Sequence, residues 1–78
     1  MNNTKLTQAF VSALAIPADQ VVPELGYGQI KQWDSTAHMV LIAELETVFD
    51  VMLDTDDIID LSSYDKARQI LSRYGVAF

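Results

Sequence analysis

The chain has 78 residues, half of them apolar, and a formal net charge of −6. That length gives room for one domain with one small core, not for a core beside an elaborate catalytic cleft. There is no cysteine, which excludes disulfides and thiolate metal sites and leaves packing to hold the fold.

The longest apolar runs, such as Val51-Met52-Leu53, are far too short to cross a bilayer, and no basic stretch followed by an apolar one opens the chain. The expectation is a monomeric cytoplasmic protein. Charge is unevenly placed: from Asp34 to Asp65 there are nine acids and no lysine or arginine, whereas Lys66, Arg68 and Arg73 make the last stretch basic. The acidic middle repels phosphate backbones, so nucleic acid is not an expected partner. A protein with a basic surface is, although an acidic surface also serves solubility.

In chain order, the first predicted helix runs from about Thr4 to Ala15. Leu6, Ala9, Phe10, Ala13 and Leu14 recur there at helical spacing, and Pro17 stops it. A long connection follows to Trp33, rich in breakers (Pro23, Gly26, Gly28) yet bearing Val21, Val22, Leu25, Tyr27 and Ile30. It reads as a loop laid over the core.

The second helix is predicted to start at Asp34-Ser35, where either side chain can accept from free first-turn amides, and to end at Asp50. His38, Leu41, Ile42, Leu45, Val48 and Phe49 make its inward stripe. On the same wheel Thr36, Met39, Val40, Ala43 and Thr47 face solvent, which leaves Met39 and Val40 as exposed apolar residues close to Ser35. A short third helix is expected from about Asp56 to Asp60, with Leu53, Ile58, Ile59 and Leu61 available to pack. A fourth opens with Ser62-Ser63-Tyr64-Asp65, packs Tyr64, Ala67, Ile70, Leu71 and Tyr74, and ends at Gly75. The fold class is therefore all-α, a small four-helix bundle of three longer helices and one short third, with a long loop between the first two. It forms a single domain over 1–78.

Chemistry around Ser35 is defined first by exclusions. Trp33-Asp34-Ser35-Thr36-Ala37 lacks the glycines of a hydrolase elbow, and His38 belongs to the inward stripe, so a catalytic Ser35-His38 pair is not expected. The acids do not make a calcium loop: a count from Asp54 puts Ile58 at the fifth position, Ile59 where glycine is needed and Asp65 where glutamate belongs. No metal and no catalytic residue is expected. What stays is a hydroxyl at a helix start, preceded by an acid and followed by an amphipathic helix in acidic surroundings. Those features alone also suit an unmodified helical interaction domain that binds a partner through its second helix.

Asp34-Ser35, with Leu41, Leu45, Glu46, Phe49 and Asp50 at their spacing, resembles the Asp-Ser signature and recognition helix of phosphopantetheine-dependent acyl and peptidyl carrier proteins. Leu14-Ala15-Ile16 is similar to the end of that family's first helix, and Ser62-Ser63 with Asp65-Lys66-Ala67 to the start of its last, so the resemblance spans nearly the whole chain. It implies a bundle of carrier type that catalyses nothing itself. A 4'-phosphopantetheine arm from coenzyme A would sit on Ser35, with Trp33 and His38 as candidates to flank it, although Trp33 also reads as closing the core at the end of the long loop. Asp34, Thr36, Met39, Val40, Ala43, Glu46 and Asp50 would form the motif and partner surface. The implied partners are a phosphopantetheinyl transferase, a loading enzyme (acyltransferase or adenylating ligase) and downstream condensing or transfer enzymes. Thr36 stands where many members have leucine, and Val40 where fatty-acid carriers have glutamate. Trp33 replaces the small residue usual before Asp-Ser in those carriers. Thr36 and Val40 thus point away from fatty-acid synthesis, and Trp33 before Asp-Ser resembles stand-alone carriers of specialised pathways.

Overall fold

A computed structural model describes residues 1–78 and folds them into α1 (Asn2–Leu14), α2 (Ser35–Phe49), α3 (Thr55–Asp60) and α4 (Tyr64–Arg73), with a single 3-10 turn at Ala18–Gln20 and no strand. Three helices are long and the third is short, as the hydrophobic spacing predicts. No helix is long and apolar enough to cross a membrane. Sixteen buried apolar residues form one core, and α1 packs mainly against α2. At its centre lies Trp33, wholly buried and edge-on to Phe10 of α1 at 5.4 Å, while Phe10 in turn meets Tyr64 of α4 at 5.1 Å. Aromatic pairs of this geometry add to the area they bury, so this stack joins loop, α1 and α4.

Helix boundaries differ from expectation for local reasons. α1 starts at Asn2 rather than Thr4, because the Met1 carbonyl accepts from Lys5 N and the Asn2 side chain donates to Ala77 O at 2.7 Å, which ties the first turn to the chain's last residues. α3 starts at Thr55, since Asp54 caps it by accepting from Asp57 N at 2.9 Å. Within that short helix Ile59 does not pack; it is 72% exposed, and the buried position belongs to Asp57. Asp57 and Leu61 are four residues apart and share the inward face, which leaves Ile59 on the other side.

The long connection is less a cover than a strap. Leu25 is buried and Val21 and Ile30 are partly so, whereas Val22 and Tyr27 are exposed. Backbone bonds fix it to the start of α4, with Tyr27 N donating to Ser62 O at 2.8 Å and Tyr64 N to Leu25 O at 2.9 Å. Gly26 sits at that crossing. A Cβ there would come within 2.8 Å of the Gln29 side chain and 3.4 Å of Ser62 O.

The inward Asp57 is satisfied by α4. Tyr74 donates its hydroxyl to one carboxylate oxygen and Arg73 Nη2 to the other at 2.9 Å. The Tyr74 bond, ahead of opposing burial and of the Arg73 charge, holds the Asp57 carboxyl below its ordinary 3.8. The same bond raises the Tyr74 hydroxyl above 10.0. A lowered carboxyl contributes stability that is present above pH 3.8 and is lost as pH falls through the folded value. A raised hydroxyl contributes stability that is present below pH 10.0 and is lost as pH rises through its folded value. Thermal unfolding of the wild type and of Tyr74→Phe should therefore differ most between these limits, and the gap should narrow in acid to the share of the bond that the Tyr74 hydroxyl accepts from Asp54 N. A gap independent of pH would show that the bond adds no charge-linked stability.

Candidate functional site

Which side chain caps α2 is resolved by geometry. Asp34 is the cap: its backbone is extended, and its Oδ1 accepts from Ala37 N at 2.9 Å while its carbonyl accepts from His38 N. Ser35 is then the first helical residue. Its side chain is exposed, and with Ala37 N taken, its own amide and that of Thr36 are left at the helix start without an intrahelical acceptor.

Ser35 opens onto a cleft of about 380 Å³ between the start of α2 and α3. Met39 of α2 and Ile58 and Ile59 of α3 line it, together with Leu61, Tyr27 and Ser62. Such a volume lies at the lower end of those that hold small organic ligands. A groove of similar size between α1 and α2, of about 400 Å³, is lined mostly by polar residues such as Lys5, Gln8 and Glu44, and Ser35 is not among its lining.

Sequence reasoning missed Tyr27, Ile58, Ile59, Leu61 and Ser62 as cleft residues. They come from two separate stretches, the strap at Tyr27 and residues 58–62, and the strap's backbone attachment to Ser62 brings them together.

The residues singled out in advance fall into two groups. Thr36, Met39, Val40 and Ala43 are exposed on one side of α2, with Met39 at 56% and Val40 at 51%. The others are engaged within the chain, Asp50 through its backbone alone while its carboxylate stays exposed. Glu46 Oε2 accepts from Leu53 N at 2.9 Å, which organises the turn into α3, and Asp50 ends α2 in the left-handed conformation with φ 52°. Trp33 is fully buried and does not line the cleft. His38 does line it, but both ring nitrogens are bonded, Nδ1 with Trp33 Nε1 at 3.0 Å and Nε2 with Ile58 O at 2.8 Å. Neither nitrogen is left to serve Ser35 as a base in this arrangement.

Electrostatically, the acidic middle is partly consumed internally. Asp57 pairs with Arg73 and Asp65 with Arg68, both at or near 3.0 Å. Glu46 and Asp34 are bonded to backbone amides, while Asp50, Asp56 and Asp60 stay exposed to solvent. No group of acids and histidine is arranged to hold a metal ion. Comparison with models of protein families, with curated proteins and with solved structures finds no match.

Proposed function

We propose that this chain is a carrier protein whose Ser35 bears a 4'-phosphopantetheine arm, in a helical bundle of carrier type. The observation behind it is the position of Ser35, an exposed hydroxyl on the first residue of α2, beside the capping Asp34 and at the mouth of an apolar cleft.

The chemistry suits the place. The Ser35 hydroxyl would attack the β-phosphorus of coenzyme A and lose its proton. The phosphodiester forms as the pyrophosphate bond breaks, and adenosine 3',5'-bisphosphate departs. The resulting phosphate would sit by the Ser35 and Thr36 amides at the positive end of α2. The arm's thiol would supply the nucleophile that a cysteine-free chain lacks and hold an acyl or aminoacyl group as a thioester.

On this reading the protein delivers cargo and catalyses nothing. A transferase attaches the arm, an acyltransferase or adenylating ligase loads it, and condensing or transfer enzymes unload it, in a specialised biosynthetic pathway in the cytoplasm. Tethering makes each delivery nearly intramolecular once partners dock, so weak, rapidly exchanging contacts suffice. Met39 and Val40 would meet those partners, and the solvent-facing acids would steer them.

A second reading has its own support. Met39, Val40 and Ile59 are all more than half exposed, and such apolar surface also suits an unmodified interaction domain. Intact mass separates the two. Incubation with coenzyme A and a phosphopantetheinyl transferase of broad specificity should add one phosphopantetheine; no gain overturns the carrier reading and leaves the interaction domain.

A further inference from the structure

His38 is half-buried, stacked on Trp33 at 6.0 Å and edge-on to Tyr27 at 5.4 Å, and its two ring nitrogens make bonds that packing alone does not require. An indole N–H can only donate, so Nδ1 must accept from Trp33; a backbone carbonyl can only accept, so Nε2 must carry the proton given to Ile58 O. The two bonds fix one neutral tautomer and make the ring a relay from the core to α3.

α3 depends on that relay. At six residues it is far too short to be stable alone, and its last carbonyls have no partner within the helix. Asp57 O accepts from Leu61 N and Asp60 O from Ser62 N, whereas Ile58 O is met by His38. The helix thus has two polar attachments. Asp57 fastens it to α4 through Tyr74 and Arg73, and Ile58 fastens it to α2 through His38. Only the second joins the two walls of the cleft beside Ser35, and its far end is anchored on a Trp33 with no exposed surface.

We propose that His38 is a positioning residue that holds the α3 wall, Ile58 and Ile59, at a set distance from Ser35 and so fixes the width of the cleft next to the attachment point. It deepens the carrier reading in one respect, the presentation of Ser35 and its arm, and rests on that reading only for the activity measurement below.

Two conservative variants divide the relay. Glutamine in place of His38 puts an amide N–H near the position of Nε2, within reach of Ile58 O, but offers nothing to Trp33. Asparagine puts a carbonyl near Nδ1, able to accept from Trp33, but stops short of Ile58.

Amide exchange over Thr55–Leu61 should stay within about threefold of wild type in His38→Gln and rise about tenfold or more in His38→Asn and His38→Ala, with α1 and α4 unchanged. Arm attachment should follow the same order, with kcat/KM kept by glutamine and lowered about tenfold by asparagine. Equal behaviour of glutamine and asparagine would overturn the proposal, and because asparagine is also the shorter side chain, His38→Met, which keeps glutamine's length but donates nothing, should behave like asparagine; a methionine variant that matches glutamine would show that His38 merely fills space. The unmodified chain supplies a test free of folding effects: nitrogen-15 spectra of the imidazole should show a protonated Nε2 and a bare Nδ1, and the opposite tautomer would refute the relay. Failure of the wild type to take an arm would sink the carrier reading while leaving the exchange pattern to decide the role of His38.

Discussion

Ser35→Ala should abolish arm attachment while leaving thermal unfolding almost unchanged. The second half of that expectation comes from the local geometry of α2. A serine at a helix start is often its cap, and losing a cap costs about 0.5–2 kcal/mol. Here Asp34 is the cap, bonded to Ala37 N, and Ser35 is the first helical residue with an exposed side chain. Alanine is the best helix former at such a position, so the substitution removes a hydroxyl and little else. Asp34→Ala provides the contrast, because it should lower the melting temperature by the cap's share whatever it does to attachment. Intact mass and circular dichroism on the two variants make the comparison. An arm still gained by Ser35→Ala, and mapped to Ser62 on the far side of the same cleft, would transfer the site to that residue.

The sequence made the frame legible because its information is periodic. Of the inward stripe Leu41, Ile42 and Leu45 are buried while His38, Val48 and Phe49, toward its ends, are only half-buried, and Thr36, Met39, Val40, Ala43 and Thr47 are exposed as a spacing near 100° per residue predicts. Likewise Tyr64, Ala67, Ile70 and Leu71 line the inward face of α4 behind a Ser63 cap that accepts from Lys66 N. Periodicity says nothing about polar partners. Nothing in its spacing sets Asp57 apart from the other acids between Asp34 and Asp65, yet it is buried, because Tyr74 and Arg73 arrive from seventeen and sixteen residues away to satisfy it. Glu46 looked like part of a docking surface, yet its carboxylate fixes the Leu53 amide. The cleft was illegible for a related reason. Tyr27 and Ser62 meet because the strap bonds to the start of α4, and no local pattern encodes that pairing.

Opposite faces of α2 should respond in opposite ways to substitution. Ile42 is 2% exposed within the core, and truncating it to alanine removes buried methylene and methyl groups and leaves a cavity. Such a change typically costs about 2–5 kcal/mol, against a total of about 5–15 kcal/mol for a domain. In a chain this small each kcal/mol lowers the melting temperature by about 4–8 °C, so Ile42→Ala should lose roughly 10 °C or more.

Met39 is 56% exposed and stands on the lip of the cleft beside Ser35. Met39→Glu exchanges one solvated side chain for another, and its melting temperature should stay within a few degrees of wild type. Its effect on attachment should be the larger one. The new carboxylate replaces apolar surface that a docking transferase would bury, and it places negative charge close to the position a phosphate must take. Added salt should restore the electrostatic share of the lost rate but not the apolar share, and Met39→Gln separates the two without a charge. The measurement is thermal unfolding beside attachment rate for Met39→Glu, Met39→Gln and Ile42→Ala at two ionic strengths. If Met39→Glu melts as early as Ile42→Ala, the faces of α2 are wrongly assigned; if it melts normally and still takes the arm at the wild-type rate, Met39 is not part of the contact surface.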